Sequence, residues 1–211
     1  MPELSDFCLG SAVFDNDGNK AGRLARVLVE EDGFDPKAVV VQDETSLIGR
    51  LMAEERYFIT DEVVIPITAV ESATHEQVLL TMSASDVREQ EPYLSYRMKP
   101  LSAGGVVLQA AQAAIGGLGV PNAEEVANKP DDQIEIDKDE SVMLGKTGHR
   151  LGRVHDLLFD RGELIGVVIR PDGRKKKDVV LPIRFINRAD DMALFADIGA
   201  SDIEQLKPYD A

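Results

Sequence analysis

Residues 18–29, GNKAGRLARVLV, return as residues 148–159, GHRLGRVHDLLF, at a shift of 130. Later matches share a shift of 116: VIPI at 64–67 with VLPI at 180–183, ASDV at 84–87 with ASDI at 200–203, and PY at 92–93 with PY at 208–209. Separated matches at one constant shift indicate an internal duplication. The change of shift places a 14-residue insertion in the first copy. We therefore expect a first domain at 1–95 with its insertion at 43–61, a linker at 96–137, and a second domain at 138–211.

Each copy consists of short aliphatic runs separated by turns that contain glycine. In the second copy, the runs at 151–159 and 164–169 flank the sequence DRGE, which is typical of a hairpin turn. Such strands favour a small antiparallel barrel, because closure removes exposed strand edges. Gly22 and Gly152, early in a long strand, would let that strand bend. The predicted fold class is mainly β: two small antiparallel β-barrels in tandem, each closed by a short C-terminal helix near 84–86 and 200–202, joined by an Ala/Gly-rich linker.

Composition limits the classes of function. The chain has 211 residues, with 23 basic and 38 acidic side chains and a formal charge of −15. This charge argues against a general attraction to nucleic acid or anionic lipid. Cys8 is the single cysteine, which excludes an internal disulfide and a thiolate metal cluster. Without a secretory leader or a run of 18 large apolar residues, we expect a cytoplasmic protein, with a position at the inner face of the membrane as the alternative.

Two segments carry a resemblance to a known family. Residues 18–24 and 148–154 both follow the pattern Gly-x-x-x-Gly-Arg-hydrophobic, and a turn, an aliphatic strand and a hydrophobic-Pro pair come after each. The chain resembles the PRC-barrel domain family over both copies, most strongly over the second. That family includes the cytoplasmic part of a protein of the photosynthetic reaction centre and the C-terminal part of a ribosome maturation factor. The resemblance implies a small β-barrel used as an adaptor in larger assemblies, and it brings no catalytic residues.

The linker contains an uncharged stretch at 101–120, LSAGGVVLQAAQAAIGGLGV. Its five Gly and two Gln make a membrane span a poor interpretation. Leu108, Ala111, Ile115 and Leu118 fall on one helical face, so a short amphipathic helix is favoured, packed on a barrel or on its copy in a dimer. A reversible membrane or partner contact is the alternative. Residues 128–140, rich in Asp and Glu, are predicted to be a solvated spacer.

Charge and apolar side chains suggest interaction surfaces in both copies. Residues 138–211 carry 13 basic and 13 acidic side chains, so the net negative charge lies on the first part of the chain. Basic residues surround a Pro-Asp-Gly turn in the second copy: Arg170, Arg174, Lys175, Lys176 and Lys177. A solvated turn is the simpler interpretation, and a docking finger for an acidic surface, ribosomal RNA or anionic lipid is the functional one. The insertion supplies candidates for an apolar partner patch: Leu47, Ile48, Leu51, Met52 and Tyr57.

Two fragments imitate ligand-binding loops. Residues 145–147, GKT, resemble the end of a phosphate-binding loop, but Glu140 occupies the position of its first glycine. Residues 15–19, DNDGN, resemble a calcium loop, but the twelfth position falls on Leu24 or Arg26 instead of a carboxylate. We therefore expect ordinary turns at both places.

The histidines offer the remaining candidate chemistry. His149 is predicted in a turn, and His155 in a strand beside Asp156, where the pair could supply two metal ligands if a third came from elsewhere. The first copy has Asn19 and Ala25 at the positions that match the two histidines, so a structural or surface role is preferred. The sequence therefore predicts no catalytic residues, no metal site, no cofactor and no enzyme.

The favoured function is a non-enzymatic adaptor that docks through barrel surfaces to a larger protein assembly. One alternative is an RNA-linked role in ribosome maturation, against which the net charge counts. Another is a self-associating structural or stress protein. One or more protein partners are expected, with a homo-oligomer and contact with a membrane or ribosomal particle as further alternatives, and no sequence-specific nucleic acid binding is expected.

Overall fold

The structure is a computed structural model, and it describes residues 3–4, 6–43, 62–98, 123–145, 147–172, 177–190, 192–199, 202 and 205–209. Strands make up most of these residues, which confirms the mainly β class. One α-helix has defined bounds within them, α1 at Ala84–Arg88. Ser83 caps it, since its hydroxyl accepts a hydrogen bond from the Asp86 N–H while the Asp86 carboxylate accepts one from the Ser83 N–H. The predicted first helix is thus confirmed, and the second falls largely outside the described residues.

The first sheet has eight strands: β1 Glu3–Leu4, β3 Ala12–Phe14, β4 Lys20–Glu30, β5 Pro36–Gln42, β6 Glu62–Pro66, β7 Val70–Ala73, β8 Gln77–Leu80 and β11 Gln133–Asp137. Seven of them lie in the order β1-β7-β8-β3-β4-β5-β6, and β11 also pairs with β4. The long strand β4 has three partners. Its first residues pair with β3, its last residues pair with β11, and β5 pairs with residues 23–29.

The second sheet has seven strands: β2 Asp6–Cys8, β12 Ser141–Leu144, β13 Arg150–Asp160, β14 Glu163–Pro171, β15 Val179–Pro182, β16 Ile186–Asp190 and β17 Ala193–Ala196. Six of them lie in the order β15-β14-β13-β12-β17-β16, and β2 also pairs with β13. A separate antiparallel pair consists of β9 Leu94–Met98 and β10 Ala123–Ala127.

The strands repeat at the shifts seen in the sequence. Both β4 and β13 have 11 residues and are related by the shift of 130. The shift of 116 relates β8 to β17 and the 3-10 turn Ile67–Ala69 to the turn Ile183–Phe185. Secondary structure is therefore duplicated together with the sequence motifs.

The repeated Pro-Tyr pairs cover an edge of each sheet. In the first copy, the Val64 N–H donates to the Glu91 carbonyl and the Tyr93 N–H donates to the Glu62 carbonyl. The same two bonds recur 116 residues later, from Val180 to Lys207 and from Tyr209 to Asp178. The segment after each predicted helix thus satisfies backbone groups at the edges of β6 and β15, which protects these edges from other chains.

The predicted closed antiparallel barrels need two corrections. The sheets are mixed, because β1, β3 and β12 pair in parallel with β7, β8 and β17. These partners are not consecutive in the chain, so hairpin turns carry no information about them. Among the described residues, the end strands of each sheet do not pair with each other, and both sheets are open.

Each copy donates a strand to the sheet of the other copy. The N-terminal strand β2 lies antiparallel to β13, with Phe7 opposite Leu157, and β11 lies antiparallel to β4, with Ile136 opposite Val27. Phe7 and Ile136 are fully buried. Phe7 also makes an edge-to-face contact with Phe159, with ring centroids 5.0 Å apart. The hydrophobic core is consequently shared by both copies in one cluster.

The predicted solvated spacer at 128–140 is wrong over β11. Its residues alternate between buried Ile134 and Ile136 and more exposed polar neighbours, the two-residue period of a strand with one face on a core. The acidic composition hid this period. The strands β9, β10 and β11 also lie partly or wholly within the predicted linker. Residues 101–120 lie outside the described residues, so the amphipathic helix stays a prediction.

Gly22 and Gly152 lie where two strands approach very closely. A Cβ at Gly152 would collide with the backbone carbonyl of Arg170 on β14, and one at Gly22 would collide with that of Gln42 on β5. The register slips beside both glycines, between Val13 and Phe14 and between Val142 and Met143. The glycines are therefore required by backbone packing at the point where β4 and β13 change partners.

Candidate functional site

A β-bulge brings two adjacent side chains of β13 together. The register against β14 slips between Val154 and Asp156, which leaves His155 as an extra residue. Adjacent side chains in a regular strand point to opposite faces, whereas a bulge can redirect one of them. As a result, His155 Nδ1 lies 3.3 Å from Asp156 Oδ2. The first copy has the same slip at Ala25, so the bulge belongs to the duplicated scaffold and the histidine only to the second copy.

Two residues from the first copy complete the cluster. Cys8 on β2 is the register partner of Asp156, and His75 lies in the turn between β7 and β8. His75 Nδ1 is 3.7 Å from Asp156 Oδ2. One ligand atom from each of Cys8, His75 and Asp156 lies within 4.8 Å of the others. We refer to Cys8, His75, His155 and Asp156 as the Cys-His-Asp cluster.

Asp156 is the buried centre of this cluster. Its side chain is 0% exposed, and within the described part of the chain neither carboxylate oxygen accepts a hydrogen bond. His155 Nδ1 is likewise buried without a hydrogen-bond partner there. Buried polar atoms are nearly always satisfied in folded proteins, so three adjacent exceptions require a physical explanation.

The surrounding polar groups are held in place by the second copy. Arg170 donates two hydrogen bonds to Asp178, from Nε to Oδ1 at 3.0 Å and from Nη2 to Oδ2 at 2.9 Å. These bonds lower the pKa of Asp178 and raise that of Arg170. Asp178 Oδ2 lies 3.5 Å from His155 Nδ1, and the Tyr209 hydroxyl lies 3.3 Å from His75 Nδ1. The site therefore has a carboxylate, held ionised by Arg170, beside its imidazole groups.

The equivalent place in the first copy has a different charge arrangement. Arg26, equivalent to Asp156, pairs with Glu62 on β6 and lies 3.3 Å from Glu135 on β11. Its guanidinium lies 5.0 Å from the centroid of the Tyr93 ring, and the Tyr93 hydroxyl donates a hydrogen bond to Glu135. The chain thus supplies a cation where the second copy has a carboxylate.

The donor atoms of the Cys-His-Asp cluster suit a metal ion. Thiolate, imidazole and carboxylate groups are the three ligand types that Zn²⁺ takes in proteins. Sequence reasoning considered His155 and Asp156 but missed Cys8 and His75, because these ligands are separated by many residues along the chain. A usable signal was the charge reversal between Arg26 and Asp156 at matched positions of the duplication.

The predicted interaction residues fall into two groups. Arg170 is described, with 59% of its side chain exposed, but its guanidinium is engaged with Asp178. Lys177 is also described and is exposed. The other predicted residues lie outside the described residues: Arg174, Lys175, Lys176, Leu47, Ile48, Leu51, Met52 and Tyr57.

The calcium-like turn is confirmed as a hairpin turn. Asp15 Oδ1 accepts hydrogen bonds from the backbone N–H groups of Asp17 and Asn19, at 3.0 and 2.7 Å. Its Oδ2 accepts one from the Ala84 N–H at the start of α1, at 3.1 Å. This carboxylate therefore joins the β3–β4 turn to the helix.

A groove on the second copy was not foreseen from the sequence. It has a volume of about 500 Å³ and lies between β14, β15 and the C-terminal segment. Ile165 is 48% exposed at its side. The lining residues are Ile165, Val180, Pro182, Arg184, Phe185, Asp202, Gln205, Leu206 and Lys207. The apolar residues are visible in the sequence, but only the fold brings residues 165, 180–185 and 205–207 together.

These features define a class of mainly β protein with duplicated strands, a shared core and strands exchanged between the copies. Residues 127–203 match the model of the family described as PRC-barrel domain, which confirms the predicted resemblance for that segment. The match includes β11, the strand donated to the first copy, and so begins before the predicted boundary at 138. No curated protein matches the chain. In the part of the chain that the structure describes, no helix is long and apolar enough to span a membrane.

Proposed function

We propose that this protein is a non-enzymatic adaptor made of two PRC-type units in tandem, which docks to a larger protein assembly. The first copy is assigned as a PRC-type unit because its strands, 3-10 turn and edge-covering bonds correspond to those of the matched segment at shifts of 130 and 116. Each unit is completed by a strand of the other. A pair joined in this way presents surfaces of both copies in a fixed arrangement, which suits a scaffold.

The observation that carries the proposal is the groove beside Ile165. Five apolar side chains line it, together with two cationic side chains, Arg184 and Lys207, and one acidic side chain, Asp202. An exposed apolar group with a polar rim is typical of a protein interaction site. Arg184 lies over the Phe185 ring, 4.9 Å from its centroid, so its cationic group is placed beside the apolar surface.

The first copy offers a comparison for the residues of this groove. The strand registers match Ile165 to Lys37, and the shift of 116 matches Phe185 to Ala69, Leu206 to Gln90 and Lys207 to Glu91. The other two apolar lining residues, Val180 and Pro182, have the same residue types in the first copy, at Val64 and Pro66. Three of the five apolar side chains are therefore specific to the second copy. The apolar and basic side chains of the second copy therefore favour a binding role over a purely structural one.

The lining chemistry indicates the partner. A groove with apolar walls and basic flanks fits a protein segment that carries an apolar side chain next to carboxylates. Lys177, the described end of the predicted basic turn, is exposed two residues before β15, the strand that lines the groove. We assign the groove and the basic turn to one docking face for an acidic protein surface.

Sedimentation of a native lysate from the source cell tests the proposal. The wild-type chain is expected in a heavy fraction, and Ile165→Glu should reduce its retention there about tenfold, equivalent to about 1.4 kcal/mol of binding free energy. Met192→Glu is the matched control, since Met192 is 84% exposed in the β16–β17 turn and outside the groove. Equal retention of the two variants would contradict the docking face.

The basic turn is tested separately. Replacing Arg174, Lys175, Lys176 and Lys177 by Glu should weaken capture while leaving the melting temperature nearly unchanged, because the turn is exposed at Lys177. Unchanged capture would remove the turn from the docking face. Release from the heavy fraction by ribonuclease would instead favour the ribosomal alternative. A wild-type chain that stays light but scatters as an oligomer would favour self-association.

A further inference from the structure

The strongest unexplained feature is the unpartnered carboxylate of Asp156. Burial of a charged group without hydrogen bonds is costly, and proteins offset that cost with a counter-charge or a metal. Both Asp156 oxygens and the neighbouring His155 Nδ1 are buried and lack a hydrogen-bond partner in the described part of the chain. Two carboxylate oxygens and one imidazole nitrogen, none of them hydrogen-bonded in the described residues, therefore lie together at the boundary between the copies.

We propose that the Cys-His-Asp cluster binds one divalent transition metal ion, with Zn²⁺ as the best fit, and that the ion joins the two copies. Cys8 and His75 come from the first copy and His155 and Asp156 from the second. This site is independent of the docking face, since none of its residues lines the groove.

The distances fit a tetrahedral ion after small adjustments. Zn²⁺ holds sulfur at about 2.3 Å and nitrogen or oxygen at about 2.0–2.2 Å, which places neighbouring ligand atoms about 3.3–3.7 Å apart. Asp156 Oδ2 is 3.3 Å from His155 Nδ1 and 3.7 Å from His75 Nδ1. The ligand atoms of Cys8, His75 and Asp156 lie within 4.8 Å of one another, so these three must move about 1 Å closer together. His155 lies close to Asp156 and must turn toward the other two to complete the four ligands.

The donor set selects the type of ion. Sulfur and imidazole disfavour Mg²⁺ and Ca²⁺, which prefer oxygen ligands, and favour Zn²⁺. Asp178 lies 3.5 Å from His155 Nδ1 but is already paired with Arg170, so Asp156 is the carboxylate available to a metal ion. Arg170 is turned onto Asp178 by two hydrogen bonds, which fixes that carboxylate beside the histidine.

The duplication provides an internal comparison. In the first copy, the position equivalent to Asp156 holds Arg26, which pairs with Glu62 and Glu135. Glu62 corresponds to Asp178 and Tyr93 to Tyr209, so both places have the same carboxylate and tyrosine. In the first copy the cation at this position is Arg26. In the second copy the proposed metal ion is the cation.

Access to the site is open from one side. His75 has 42% of its side chain exposed, and Cys8 is partly exposed. The Tyr209 hydroxyl lies 3.3 Å from His75 Nδ1, so His75 exchanges this contact for the metal when it binds through that atom. The ion can therefore enter without unfolding of the buried half of the cluster.

Titration of the purified, chelator-treated and reduced full chain with Co²⁺ and Zn²⁺ tests the proposal. Co²⁺ should bind with a stoichiometry of one, giving a sulfur-to-metal charge-transfer band and the intense visible bands of a tetrahedral ion. Zn²⁺ should displace it and raise the melting temperature. Cys8→Ser should abolish the charge-transfer band, and Asp156→Asn should weaken Zn²⁺ binding at least tenfold.

His149→Ala is the matched control, because His149 is exposed in the turn before β13 and outside the cluster. It should bind Co²⁺ as the wild type does. If Asp156→Asn fails to fold, Cys8→Ser decides, since Cys8 is only partly buried. Three results overturn the proposal: no saturable binding, binding without a charge-transfer band, or a loss of binding in His149→Ala.

Discussion

Arg26 and Asp156 occupy the same position in the two copies, next to the same bulge and opposite a strand from the other copy. Arg26 is paired with two carboxylates, whereas Asp156 is buried without a hydrogen bond in the described residues. The groove differs in the same manner, with Ile165 and Phe185 in the second copy where the first has Lys37 and Ala69. Both copies have the same backbone hydrogen bonds at the sheet edge and a glycine at Gly22 and Gly152. The side chains at matched positions nevertheless differ in charge and polarity. The comparison therefore distinguishes the backbone features that both copies need to fold from the side chains that are available for binding.

Removing a donated strand's anchor should have the largest effect. Phe7→Ala is expected to lower the free energy of unfolding by about 3–5 kcal/mol and Ile136→Ala by about 2–5 kcal/mol, because both fully buried side chains fill the core of the other copy. Denaturant unfolding should show one transition in each variant, since the core is shared.

Met192→Ala serves as the control for these two variants, with an expected change within about 0.5 kcal/mol because Met192 is 84% exposed. Two separate unfolding transitions would show that the copies are independent, contrary to the exchange of β2 and β11. A loss below about 1 kcal/mol for Phe7→Ala would have the same meaning.

The equivalent charged positions should respond in opposite directions. Arg26→Gln is expected to cost about 2 kcal/mol, because it leaves Glu62 and Glu135 without their cation. Asp156→Asn, measured in chelator, should leave the stability unchanged or raise it by about 1 kcal/mol, because it removes a buried carboxylate that accepts no hydrogen bond in the described residues. Chemical denaturation of both variants under identical conditions checks this. Similar losses in both would show that Asp156 has an unrecognised stabilising partner.

Much of the scaffold follows from the sequence. The hairpin turns and the first helix were indicated by local residues such as Gly162 and Ala84 to Asp86, although the helix cap is Ser83 and the duplicated 3-10 turns were not predicted. The parallel pairs were not, because β12 and β17 meet only through the overall path of the chain. The donated strands were missed for a related reason: the acidic residues around Ile134 and Ile136 resembled a spacer more than a strand.

The site was less accessible to sequence reasoning than the fold. His155 and Asp156 could be seen as a pair, but a regular strand would separate their side chains, and nothing local predicted the bulge. Cys8 reaches the cluster only because β2 leaves its own copy. The spacing of residues in the sequence does not predict a site that depends on a strand exchange and on a one-residue shift in strand register.

Glu140 should make the second copy pH-sensitive, while its counterpart in the first copy is Ser11, whose carbonyl accepts the equivalent backbone hydrogen bond. Burial raises the pKa of Glu140 to about 9, opposed by a hydrogen bond from the Asp137 N–H and reinforced by the nearby carboxylates of Asp137, Glu135 and Asp190. A carboxyl with a raised folded-state pKa stabilises the fold most fully below its ordinary pKa of 4.5, and that contribution is lost as the pH rises toward 9.

Glu140→Gln removes this titration and is therefore the matching test. Relative to the wild type, the variant should gain about 1–3 kcal/mol between pH 5 and pH 8. Denaturant midpoints across that range measure the difference. A difference that is independent of pH would show that Glu140 is ionised in the folded protein at neutral pH.

Arg170→Gln should give the smallest change in stability and the clearest test of what orders the cluster. Arg170 is 59% exposed, so its pair with Asp178 should contribute less than about 1 kcal/mol. Without its two hydrogen bonds, the pKa of Asp178 should rise toward its ordinary value of 3.8. The pKa of Asp178 is lowered in the wild type. The pair therefore stabilises the fold when the pH is above the ordinary pKa of 3.8, and this stabilisation is lost as the pH falls through the folded-state pKa. The variant should lack that acid-dependent loss, and carboxyl NMR titration of Asp178 measures the shift directly. If the pKa of Asp178 stays low in Arg170→Gln, another cation holds this carboxylate, and His155 beside it becomes the group to examine.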